Sequence, residues 1–152
     1  MKLNFYLRLC THFFIAVIFA FVIASLFHSQ LIMAELSKVG VDILFKDRLS
    51  MSIDDLLGLY PTYWIMIAVS YFISFIVAGL LIKQFTLSPY IVYFLMGGGG
   101  ITVVLLTMQP ILGITLLAGA PSTFGLVCQS VAGAMGGVLF ANFRSKQHVS
   151  IQ

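Results

Sequence analysis

A chain of 152 residues that is 61% hydrophobic and only 9% charged, with a mean hydropathy of +1.08, falls far below the roughly one-quarter charged residues of a soluble domain and points to lipid as its solvent. The length suits one domain. Positions 84–143 hold no Asp, Glu, Lys or Arg, which excludes a soluble bundle, since that needs a polar outer face on each helix. The net charge of +3 comes from basic residues dispersed at the flanks of apolar runs, so no nucleic-acid patch is implied.

In chain order, Lys2 and Arg8 precede an apolar run over 13–33. That run exceeds the roughly 7–15 residues of a signal-peptide core, and Ile32-Met33-Ala34 lacks a small residue three back from the cut. It reads as an uncleaved first span whose phenylalanines serve lipid contact or packing. His12 and His28, near its two ends, have no acidic or histidine partner at helical spacing and read as interface anchors. Cys10 and Cys128 match no metal or redox spacing and read as buried reduced thiols.

The segment 34–62 is more than a linker. Leu36, Val39, Ile43 and Leu44 recur at helical spacing among charges, as in an interfacial amphipathic helix. Ser52-Ile53-Asp54-Asp55 resembles a capping box before Leu56, Leu57 and Leu59. Two short helices on the outer face are expected. The pair Asp54/Asp55 is read as a cap, since a helix N-terminus favours acids, and not as a cation site.

A second span covers 64–82, introduced by Tyr60, Tyr63 and Trp64, aromatics of the headgroup region. The third, 89–108, opens on Ser88-Pro89, an N-cap with proline at the first helical position, and Gln109-Pro110 should end or kink it. The stretch 111–120 is apolar and too short to cross; it dips back, continues a kinked helix or lies at the interface. The fourth span covers 121–143. All four reach the roughly 20 residues needed for the hydrocarbon core. The expected fold is all-α: a single membrane domain over 1–152 forming a four-transmembrane-helix bundle.

Lys2, Arg8, Lys83, Arg144 and Lys146 fall at one side of this topology and all five acids (Glu35, Asp42, Asp47, Asp54, Asp55) at the other. The positive-inside bias then places both termini in the cytoplasm. The absence of N-x-Ser/Thr sequons fits a bacterial inner membrane.

Glycine carries the most specific signal. Gly97, Gly98, Gly99 and Gly100 lie in span three; Gly133, Gly136 and Gly137 in span four, where Gly133/Gly137 form GxxxG and Ala132/Gly136 repeat the small-xxx-small spacing that allows close helix approach. At about 1.5 Å per residue, these glycines and Ser74, Ala78 and Gly79 of span two share one depth band in the cytoplasmic half. The run 97–100 reads as a packing face, or as an unwound substrate site of the kind transporters build. On span four Gln129 shares a face with Gly125, Gly133 and Gly136, and its depth matches Thr102, Ser70 and Tyr71. A hydrogen-bonded polar cluster of Gln129, Thr102 and Ser70 or Tyr71 is expected, acting as an interhelical brace or orienting a small uncharged ligand.

No cofactor, metal or catalytic constellation is visible, so the chain reads as a non-enzyme. The spans also lack the ionisable residues of ion-coupled transport. Two functions remain. The first is a non-catalytic accessory, scaffold or assembly subunit whose glycine faces dock onto copies of itself or a larger membrane protein. The second is a small oligomeric transporter or channel for an uncharged or lipophilic solute. The expected partners are membrane lipid and protein, with no nucleic acid.

Overall fold

The computed structural model describes the backbone over 2–40, 42, 44–112 and 123–149, and side chains over 6–40, 42, 44–107 and 123–146. Four helices account for nearly all of it: α1 (Lys2–Lys38), α2 (Phe45–Phe85), α3 (Pro89–Leu112) and α4 (Thr123–Val149). Among the described residues there is no strand. No Gly or Pro interrupts α1 between Lys2 and Lys38. It stops at Gly40, whose φ of +84° suits the left-handed position after a helix C-terminus. The carbonyls of Leu36 and Ser37 are taken up there by the Val39 and Gly40 amides, both at 3.2 Å.

The segment 34–62 differs from expectation. It does not form two separate interfacial helices: its first part is the end of α1 and most of its remainder is the beginning of α2. The cap of α2 lies at Leu44, whose amide donates to the Asp47 carboxylate at 3.2 Å. Ser52 caps nothing; its hydroxyl donates to the Arg48 carbonyl one turn back, at 2.8 Å. Asp55 accepts from Ser29 on α1 at 2.8 Å. A helix already running through 52–55 has its amides satisfied, which leaves these side chains free for bonds across the α1–α2 hairpin. Ile43 of the proposed amphipathic stripe lies outside the described residues. Pro61 sits inside α2, where it removes one backbone donor without ending the helix.

A three-residue turn joins α2 to α3, with Thr86 in the left-handed region at φ 48°. Helix α3 starts at Pro89 and stays helical through Gly97–Gly100 and past Gln109-Pro110 to Leu112. The span is therefore not unwound at its glycines and does not stop at its proline. The conformation of 113–122, and with it the connection to α4, lies outside the described residues.

The helices form a ring in which each contacts its sequence neighbour and α4 closes against α1. Neighbours run antiparallel: Phe13 meets Phe75 while Phe21 meets Tyr63 across α1–α2, and Gly98 faces Ser130 where Tyr90 reaches Asn142 across α3–α4. This arrangement gathers Arg8, Lys83, Arg144 and Lys146 at one end, and the α1–α2 connection with the acids at the other.

Polar side chains are buried inside the bundle while many large apolar ones face outward. Ser25, His28, Ser29, Ser70, Ser74 and Gln129 are buried, whereas Phe72, Ile73, Leu80, Ile91 and Leu95 are exposed. An isolated bundle with this distribution exposes apolar area far beyond what a soluble monomer tolerates. Each helix is long and apolar enough to cross a membrane.

Candidate functional site

The centre of the bundle is built on missing side chains. A Cβ at Gly97 would lie 2.5 Å from the Gly133 carbonyl oxygen, and one at Gly133 would lie 2.6 Å from the Gly97 carbonyl oxygen. A Cβ at Gly137 would run into the Tyr93 carbonyl, and one at Gly98 would lie 2.9 Å from the Ser130 carbonyl. Helices α3 and α4 thus touch backbone to backbone, as glycine at i, i+4 permits.

The second small-residue pair of α4 serves another neighbour. Gly136 faces α1 and α2, where a Cβ would meet the Tyr71 hydroxyl, Ala20 Cβ at 2.9 Å and the Ala16 carbonyl at 3.1 Å. Gly100 abuts Ser74 and Ser70 of α2, and Ala78 is fully buried one turn further along α2. Gly99 alone of its run faces open space. Every other glycine in 97–100 and 133–137 is occupied by contacts within one chain. Bulky substitutions there test the fold of the single chain and not only its association with copies.

The polar residues are paired differently from the single cluster expected. Gln129 does point inward and is 1% exposed. Its Oε1 accepts from the Tyr63 hydroxyl on α2 at 2.6 Å, and its Nε2 donates to the Ala24 carbonyl on α1 at 3.1 Å. One side chain of α4 therefore ties two other helices. Thr102 instead meets Ser130, hydroxyl to hydroxyl at 2.5 Å. Successive residues of a helix point about 100° apart, so at this depth α4 offers Gln129 to α1 and α2 but Ser130 to α3. Tyr71 crosses the ring diagonally to donate to the Gly133 carbonyl at 2.5 Å. The Ser70 hydroxyl is buried with no partner among the described residues.

Tyr63 and Ser130 are the members that sequence reasoning missed. The sequence places Tyr63 in the headgroup region with Tyr60 and Trp64, yet it is fully buried. The signal was present: extending the inward stripe of Ser74, Tyr71 and Ile67 back one turn at 3.6 residues reaches position 63. His28 and the cysteines differ from expectation. His28 is buried within the bundle and His12 stacks on Phe143 at 4.8 Å, while Cys10 is exposed and Cys128 half-buried.

Near the basic end, the Arg144 guanidinium donates to the Tyr93 hydroxyl and lies 5.8 Å from the centre of the Tyr93 ring. Beside it a cavity of about 530 Å³ opens between α1 and α2, with Phe75 and Phe140 in its floor. Among the described residues no group of three or more His, Cys, Asp or Glu is arranged to hold a metal.

These features define the class to which the fold belongs, an all-helical bundle of four helices long and apolar enough to span a membrane. No protein-family model matches the chain, and no curated protein or solved structure is significantly similar to it.

Proposed function

We propose that the chain is a small non-catalytic integral membrane protein of a bacterial inner membrane, with both termini cytoplasmic, acting as an accessory, scaffold or assembly subunit. The observation that carries this reading is the central lock. Backbone contact through Gly97, Gly133 and Gly137, together with the Tyr63–Gln129–Ala24 brace, joins all four helices in one tightly packed body. Alternating access requires one group of helices to move against another, and packed interfaces of this kind are not continuously deformable. The basic residues outnumber the acids only at the end carrying Lys2, Arg8, Lys83, Arg144 and Lys146, whereas Lys38, Lys46 and Arg48 share the other end with all five acids, and this bias supports the orientation. The face left for a copy or a larger partner is the outward apolar surface, including Ile73 and Leu80 of α2 and Ile91 and Leu95 of α3.

The alternative, a small oligomeric transporter or channel for a lipophilic solute, is favoured by one observation, the apolar cavity beside Arg144.

A disulfide lock separates the two. The double variant Thr102→Cys/Ser130→Cys replaces two hydroxyls in contact across α3–α4. Oxidised and purified in mild detergent, it is expected to show by native mass spectrometry the same defined assembly as the unmodified chain. Recovery of the unmodified chain as a bare monomer contradicts the accessory reading. Solute flux in reconstituted vesicles that oxidation abolishes supports the transporter.

A further inference from the structure

We propose that the cavity between α1 and α2 is a binding site for an anionic phospholipid, with one acyl chain along the groove and the phosphate on Arg144. The inference rests on the reading of the chain as a membrane protein.

The groove exists because of where small and large residues fall. Toward the acidic end, α1 and α2 close on each other through Phe21 and Tyr63. Toward the basic end, Gly79 contributes no side chain, and the gap is walled by aromatic and aliphatic groups. Phe75 and Phe140 in the floor are buried, whereas Phe14, Phe72 and Leu80 at the rim are about half exposed or more, at 48%, 60% and 61%. The mouth therefore opens sideways, onto the surface that lipid would cover. From Phe72 to Leu80 the groove runs roughly 12 Å along the helix axis. Its volume of 530 Å³ lies within the roughly 300–1,000 Å³ of small-molecule sites.

The apolar walls alone suit any hydrocarbon chain; Arg144 adds the sign. Among the described residues it is the one charged residue lining the cavity. Its guanidinium is held by the Tyr93 hydroxyl and lies against the open position at Gly79, where a Cβ would be 3.8 Å from Nη1. Of its five N–H donors, Tyr93 accepts from one nitrogen, and among the described residues no carboxylate pairs with it. The five acids of the chain all lie within 35–55, at the opposite end of the bundle, and the one ion pair among the described residues is Lys38–Glu35.

A cation at the edge of an apolar site is costly unless a negative group meets it. A planar guanidinium suits the paired oxygens of a phosphate. An apolar slot ending at such a cation fits a molecule with a hydrocarbon chain and an anionic head, which the surrounding leaflet supplies as phospholipid.

The full chain, purified in a neutral detergent, is offered equal amounts of dioleoylphosphatidylglycerol and dioleoylphosphatidylcholine, and bound lipid is counted by native mass spectrometry. One phosphatidylglycerol per chain is expected to be retained over phosphatidylcholine by about fivefold, the effect of one basic residue on an anionic lipid. Arg144→Gln is expected to abolish that preference. Gly79→Leu, which fills the groove without changing charge, is expected to lose bound lipid of both kinds. Lys146→Gln, which removes a nearby cation outside the groove, is expected to keep the preference. Far-UV circular dichroism checks that each variant is folded.

Equal retention of the two lipids by the unmodified chain, an unchanged preference in folded Arg144→Gln, or undiminished lipid retention in folded Gly79→Leu overturns the proposal. So does complete displacement of phosphatidylglycerol by equimolar oleate, which assigns the site to a free carboxylate. Release of the chain from its membrane by alkaline carbonate removes the membrane reading itself; loss of lipid selectivity alone leaves that reading standing.

Discussion

Gly137→Leu is expected to prevent the four helices from forming a stable bundle. The position faces α3 where a single added carbon already runs into the Tyr93 carbonyl, with Gly97 Cα 3.5 Å away. Both obstacles are backbone, so no rotamer change relieves them; the helices must separate, and the Gly97–Gly133 contact opens with them. Overpacking a core costs about 1–3 kcal/mol where side chains can adjust. Even Gly137→Ala is therefore expected at about 3 kcal/mol or more. Gly99→Ala is the matched control, because the same type of change there meets nothing within 4 Å. Alanine's higher helix propensity, worth about 1 kcal/mol over glycine, should make that variant as stable as the original or more so. Unfolding in sodium dodecyl sulfate, followed by far-UV circular dichroism, checks the pair. A Gly137→Leu chain with an unchanged midpoint would refute the backbone contact.

Gln129→Leu is expected to cost about 1–3 kcal/mol, the penalty for leaving a buried polar group unpaired. The loss exceeds the ~0.6 kcal/mol average of one intramembrane hydrogen bond, because the amide serves two helices at once. Tyr63 loses its acceptor, and the Ala24 carbonyl loses its side-chain donor. Tyr63→Phe leaves the Gln129 oxygen without that donor and should also destabilise. Together the two changes remove both ends of one bond, so Tyr63→Phe/Gln129→Leu is expected to cost less than the sum of the single effects. Strict additivity in the same unfolding assay would show that the pair does not couple.

These two positions illustrate what the sequence made legible. The uncharged stretch over 84–143 and the clustered small residues of α3 and α4 were visible because composition and i, i+4 spacing report directly on helices and on their close approach. Which helix each glycine meets was not, since that depends on the ring order: Gly133 and Gly137 serve α3, whereas the adjacent Gly136 serves α1 and α2. Depth matching brought Gln129 and Thr102 to one level but carries no rotational information, and the partner of Thr102 is the next residue, Ser130. The two helices expected in 34–62 failed for a related reason. Amphipathic spacing and a capping-like tetrad describe local preference, whereas the Ser29–Asp55 bond depends on contact between distant segments. Arg144 was read only as a flanking charge, because Tyr93 and Gly79 are brought beside it by folding alone.

The measurement that tests the central account most directly is substituted-cysteine accessibility in intact bacterial cells. Starting from the Cys10→Ser/Cys128→Ser chain, single cysteines replace Lys46, Gly58, Lys83 or Lys146. A membrane-impermeant maleimide is expected to label Lys46→Cys and Gly58→Cys from outside, and Lys83→Cys and Lys146→Cys only after the membrane is opened. That outcome puts the basic end of the bundle inside and the α1–α2 hairpin outside, as four crossings with both termini cytoplasmic require. Labelling of Lys83→Cys or Lys146→Cys in intact cells, or protection of both hairpin positions, would contradict it.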